Sequence, residues 1–266
     1  MSELKSYAVW DAPTRWFHWI NVLCVMTLAG FGLVILNADA LDISDKGEVV
    51  LKTLHVWIGY LFVLNIGWRI VWAFVGNHYA QWRQMFPGGP GYLRNLRRYM
   101  GSFFSRHPEH YLGHNPAGRI GVATLFFLIT VQAVTGLILA GTDIFYPPFG
   151  HWVARWIAAP GVDPSTLVPN APDLYDKARY ADLRAAREPV TVVHLYVFYI
   201  LAVTIVLHVI AVVVTELRAG GSLISAMFTG RKIVSGQPVD IASHGVDNAA
   251  GQTQAPRSRG DHGDEV

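Results

Sequence analysis

Cysteine is nearly missing from this chain: Cys24 stands alone, inside an apolar run. A single thiol excludes an intrachain disulfide, a thiolate zinc cage, an iron–sulfur cluster and the CxxCH attachment of a c-type haem. Charge is scarce too. Of 266 residues only 15% are Asp, Glu, Lys or Arg, against 52% hydrophobic, which is too apolar for an ordinary soluble domain of this length. The formal net charge of +2 is small and the arginines flank apolar runs, so no basic face exists for a nucleic acid. The first apolar run exceeds a signal-peptide core and has no small-residue cleavage site behind it, so a retained spanning helix is expected there.

Apolar runs are what the sequence has in abundance. Residues 16–36, 54–75, 120–140 and 192–215 are each long enough to cross a hydrocarbon core, which takes about 20 residues. The expected fold is all-α: an integral membrane four-helix bundle with interfacial helices, occupying residues 1–234 and followed by a disordered tail, 235–266. An even number of crossings puts both ends on one side, here called side A, with side B opposite. The larger share of the 21 Lys and Arg residues falls on side A, which predicts that side, and both termini with it, to be cytoplasmic.

Between the spans, Tyr92, Leu93, Leu96, Tyr99, Met100 and Phe103 repeat at helical spacing around Arg94, Arg97 and Arg98, as in a helix lying on the membrane surface. Phe149, Trp152, Val153, Trp156 and Ile157 form a second stripe on side B, expected to rest on lipid. Residues 159–172 read as loop and 173–187 as a polar helix.

Four histidines lie in or at the ends of the spans, where an ionisable side chain needs a partner, a cavity or a metal. His194 and His208 are nearly four whole helical turns apart, so they share a face and stand about 21 Å apart along the axis. His18 opens the first span at the level of His208, and His55 opens the second at the level of His194. Neutral imidazoles from facing helices supply both axial positions of a haem iron, and the propionates then need cations, for which Arg15 and Arg69 are the nearest candidates. Two competing readings use the same histidines: an ion or proton pathway, or a scaffold without a cofactor.

The stretches DAPTRWFHW (11–19), LHVWIG (54–59), WAFVGN (72–77), GHNP (113–116) and ISAMFTGRK (224–232), with the His194 to His208 spacing, resemble the bacterial cytochrome b561 superfamily and within it the b-type cytochrome subunit of membrane-bound nickel–iron hydrogenases. That resemblance implies that His18, His55, His194 and His208 ligate two non-covalent haems b as bis-His pairs, and that the N-terminus is cytoplasmic. It implies an electron-transfer subunit of the bacterial inner membrane, surrounded by lipid, working between a periplasmic partner such as a nickel–iron hydrogenase and the quinone pool. His114, in GHNP, falls where it would touch a propionate or quinone, or else occupy a surface loop. The loop before the fourth span is longer than that subunit leads one to expect, with an added segment at 159–188. The other functions in contention are a self-contained quinol-linked oxidoreductase acting on a small oxidant, and a transporter or scaffold without haem.

Overall fold

The computed structural model describes residues 4–103, 105, 108–219, 222–235 and 237–241. Four long apolar helices cross the bundle: α1 (Ala12–Leu36), α2 (Asp45–Val75), the third from Pro116–Asp143, and the fourth from Lys177–Ala219. In chain order, β1 (Leu4–Ala8) precedes α1, and α3 (Trp82–Met85) and α4 (Tyr92–Phe103) follow α2. The third long helix is therefore α5, followed by α6 (Gly150–Ile157), the fourth long helix α7, α8 (Leu223–Thr229) and β2 (Arg231–Ser235). The expected all-helical membrane bundle is what the chain builds, with one small two-stranded addition.

Each span starts where the sequence offers a cap. Asp11 accepts from the Thr14 amide at 3.0 Å ahead of Pro13, Ser44 accepts from Gly47 N at 3.2 Å, and Asn115 accepts from Gly118 N at 2.6 Å ahead of Pro116. Packing makes two hairpins, α1 on α2 and α5 on α7. Between them the centre is filled by Cys24, Phe62, Ile66, Leu128, Ile129 and Leu201, while most other apolar side chains of the spans point outward, as lipid-facing residues do.

The fourth span is longer than its apolar run. Its 43 residues rise about 64 Å, roughly twice the hydrocarbon thickness. The polar helix expected at 173–187 and the span at 192–215 are thus one element, with Pro189 inside it. Proline removes the bond to the carbonyl of Ala185, yet the helix runs on through it from Lys177 to Ala219.

Side A is closed by a cap. β1 pairs antiparallel with β2 in the register Leu4 to Ser235 and Ala8 to Arg231, which brings both ends of the bundle to the same side. Lys232 and Val234 point inward and Arg231 and Ile233 outward, the alternation a strand requires. Gly230 makes the turn into β2 at φ 78°, and a Cβ there would lie 2.5 Å from the Trp10 carbonyl oxygen, so only glycine fits. The Lys232 ammonium donates to the carbonyls of Tyr111 and Leu112, and burial pushes its pKa down to about 8 against the opposing pull of Asp240. Asp240 accepts from the amides of Leu112 and Gly113 at 2.6 and 2.8 Å, and Ile241 packs on the cap core of Val9, Tyr79, Leu112 and Val234. The tail expected to be disordered from 235 is therefore structured at its start, because Ser235 pairs in β2 and Asp240 and Ile241 bind the cap; residue 236 and residues 242–266 lie outside the described residues.

Asp11 is the joint between cap and bundle. Besides capping α1, its carboxylate accepts from Trp72 Nε1 at 2.9 Å and from the Asn77 amide at 3.3 Å. Asp11→Ala is therefore expected to destabilise the protein by about 2 kcal/mol, the upper end for a lost helix cap, because further donors are stranded with it. Thermal unfolding in detergent checks this, with Asp11→Asn expected to retain part of the stability.

The two amphipathic stripes are helical as expected. In α4, Tyr99 is buried while Leu93 and Met100 face out. In α6 the stripe divides: Ala154 and Ile157 bury against Leu167, Tyr175 and Leu183 of the long side-B loop and the start of α7, which leaves Phe149, Trp152 and Trp156 exposed. The expected lipid-facing stripe is thus reduced to three aromatic rings, because the loop supplies its own core.

Candidate functional site

The four histidines come from three helices and lie at two levels. At side B, His55 of α2 and His194 of α7 bring their ring centres to 6.5 Å at an interplanar angle of 70°. An imidazole nitrogen binds a metal at about 2.0–2.1 Å, so two rings clamping one ion stand roughly 6–7 Å apart centre to centre. The observed spacing fits an ion between them. At side A, His18 of α1 lies within electrostatic range of His208 of α7, and its ring meets Trp19 edge-on at 5.1 Å. Both pairs span the two hairpins, one ring on α1 or α2 and the other on α7.

Two glycines lie against the side-B rings. A Cβ at Gly32 would lie 3.5 Å from His55 Cε1, and one at Gly136 would lie 3.4 Å from His194 Cε1. Gly30, Gly59, Gly67 and Gly121 have nothing within 4 Å of the position a Cβ would take. Among the described residues no three His, Cys, Asp or Glu side chains converge on one point, so a bare-ion site of the zinc type has no ligand set. Pairs of imidazoles from facing helices suit a planar cofactor that brings its own equatorial ligands.

Polar atoms left without partners point the same way. Nδ1 of His18 and of His55, Nε of Arg15 and Nη1 of Arg69 are sealed from solvent with no hydrogen-bond partner among the described residues. The arginine donors are costly unless an anion fills them, and the two imidazoles keep Nδ1 without a partner. His194 differs: its Nδ1 lies 2.8 Å from Thr135 Oγ1. Sequence reasoning passed over Thr135; its position beside Gly136, on the α5 face turned to α7, was the available signal.

The arginines sit at the side-A end. Arg69 does not snorkel to the surface: it is 3% exposed, donates to the Ala80 carbonyl at 2.8 Å, touches Met85 Sδ and lies 5.8 Å from the centre of the Phe17 ring. Arg15 donates through Nη1 to the Phe228 carbonyl, tying α1 to α8. Each arginine keeps one buried donor in reserve for an anion.

His114 is not in an open surface loop. Its ring lies 4.9 Å from that of Trp10 within the cap, and Nδ1 has no partner among the described residues. Burial, reinforced by the positive charges of Lys232, Arg69 and Arg119, pushes its pKa down to about 3, so it is neutral at pH 7. At side B, Asp143 of α5 holds Lys52 of α2 at 2.9 Å and Arg187 of α7 at 2.6 Å, bracing three helices just outside the His55 and His194 pair.

The model of the family described as prokaryotic cytochrome b561 matches residues 9–230. A probable Ni/Fe-hydrogenase B-type cytochrome subunit of Cupriavidus necator is 27% identical over 244 residues, covering 86% of this chain and 87% of the relative. The subunit of the same description from Rhizobium leguminosarum bv. viciae is 28% identical over 249 residues, covering 87% and 90%. A probable Ni/Fe-hydrogenase 1 B-type cytochrome subunit of Escherichia coli K12 is 30% identical over 160 residues, covering 55% and 66%. No solved structure matches the chain.

Proposed function

Since the chain belongs to the prokaryotic cytochrome b561 family, and is thus a multi-pass bacterial membrane b-type cytochrome of electron transfer, we propose that it holds two haems b between its histidine pairs. In this reading His55 and His194 clamp one iron near side B and His18 and His208 clamp the other near side A. The observation that carries it is the 6.5 Å between the His55 and His194 rings, a separation suited to an iron between two imidazole nitrogens. When bound, haem supplies one-electron redox chemistry. The chain's share is to provide the imidazoles, exclude water with the apolar bundle and neutralise propionates with the spare donors of Arg15 and Arg69.

The hydrogenase named in the relatives' descriptions supports a partner of that class here. We place side A, with its cap and both ends of the bundle, in the cytoplasm of a cell whose inner membrane carries the four spans. Electrons are taken from a periplasmic nickel–iron hydrogenase at side B and delivered to a quinone. The large side-B loop, folded on its own core of Ile157, Leu167, Tyr175 and Leu183, offers that partner a firm platform. The chain is an electron-transfer subunit more than a catalyst alone.

The test is a haem assay on purified protein in lipid nanodiscs, followed by addition of a quinol. Two haems b per chain and their reduction by quinol are expected, with no quinol-driven turnover of a small oxidant. Folded protein without haem would overturn the reading, and turnover with quinol and a small oxidant alone would replace it with a self-contained oxidoreductase.

A further inference from the structure

We infer that Thr135 fixes the tautomer of His194 and thereby makes the two side-B imidazoles chemically unequal, with Thr135 as a positioning residue for the electron-transfer site. The inference rests on the ligand reading above and adds a residue to it.

The argument is a proton count. Thr135 is 8% exposed, in the interior of α5. Its Oγ1 lies 2.8 Å from the Val131 carbonyl oxygen, 3.2 Å from that of Gln132 and 2.8 Å from His194 Nδ1. A hydroxyl has one proton to give and lone pairs to receive. Carbonyl oxygens only accept, so the single proton goes to them, most directly to Val131. Toward His194 the hydroxyl can then only accept. Nδ1 must carry the imidazole proton, which leaves Nε2 bare. With the opposite assignment, Oγ1 would face a carbonyl oxygen at 2.8 Å, acceptor against acceptor, and Nε2 would bear a proton that bars it from iron.

No equivalent partner serves the other ring. Nδ1 of His55 is buried without a hydrogen-bond partner among the described residues. An acceptor on Nδ1–H makes an imidazole a stronger donor to metal through its other nitrogen. A more basic axial ligand favours ferric over ferrous iron, so the Thr135 hydroxyl holds the side-B reduction potential down.

The experiment is redox titration with low-spin ferric electron paramagnetic resonance on the haem-loaded parent, Thr135→Val, Thr135→Ser and His194→Ala. Thr135→Val keeps shape and removes the hydroxyl; Thr135→Ser keeps the hydroxyl. The valine variant is expected to shift one haem about tenfold toward the ferrous form, a rise of about 59 mV for one electron, with altered g-values for that haem alone. The serine variant should titrate like the parent. If valine instead loses that haem while serine keeps it at the parental potential, the hydroxyl is again the group that matters and the inference stands. Both haems at parental potentials in Thr135→Val, or equal shifts in valine and serine, would overturn it. If His194→Ala lost no haem, the ligand reading itself would fail and take this inference with it; if His194→Ala lost one haem while Thr135→Val titrated unchanged, the inference alone would fail.

Discussion

His194→Ala and His208→Ala are each expected to leave about half of the parent's haem, and each a different half, because an iron held by two axial imidazoles does not survive in a bundle that offers one. The sharper expectation concerns the partners. His55→Ala should remove the same spectroscopic species as His194→Ala, since those rings stand 6.5 Å apart, and His18→Ala the same species as His208→Ala. Reduced-minus-oxidised spectra with haemochrome stoichiometry on the four variants read this directly. Should His55→Ala and His208→Ala remove the same species, the level-matched pairing is wrong even if all four histidines are ligands.

Arg69→Leu is the second large effect. The guanidinium is buried, braces the Ala80 carbonyl and has one sealed donor left over. Leucine fills the volume but strands that carbonyl, so a loss of about 2–3 kcal/mol is expected, the range for a hydrogen bond to a charged group. A cation near a haem favours the ferrous form, so its removal should also lower the potential of the side-A haem while the side-B haem titrates as before. Thermal unfolding and redox titration separate the two consequences. Lysine at this position should restore little of either, because one ammonium does not reproduce the guanidinium's fork of donors.

The spans were legible because membrane solvation makes a coarse demand, about 20 apolar residues, that a sequence meets or fails without regard to its neighbours. The shared face of His194 and His208 was legible for a similar reason: helical geometry fixes the relation of two residues on one axis. What escaped notice depends on contacts between distant segments. Pairing of residues 4–8 with 231–235 leaves no local signature beyond a short alternation. The continuity of α7 through Pro189 was hidden because proline usually marks a boundary, and only the packing of its polar first turns against α6 and the side-B loop shows why it does not here. Arg69 was legible as a cation near the side-A end of its span, but not its burial, which arises because the segment after α2 folds back so that Ala80 and Met85 enclose it. Thr135 is an ordinary threonine until α7 brings His194 beside it.

The small ribbon at the cap also constrains assembly in time. Its two strands lie before the first and after the last of the four spans, and they meet only if an even number of intervening segments has threaded the bilayer. One missed insertion would change the parity of crossings and strand the two halves on opposite faces, leaving raw sheet edges for proteases or aggregation. The ribbon is thus a latch that stays open on any chain with one span missed.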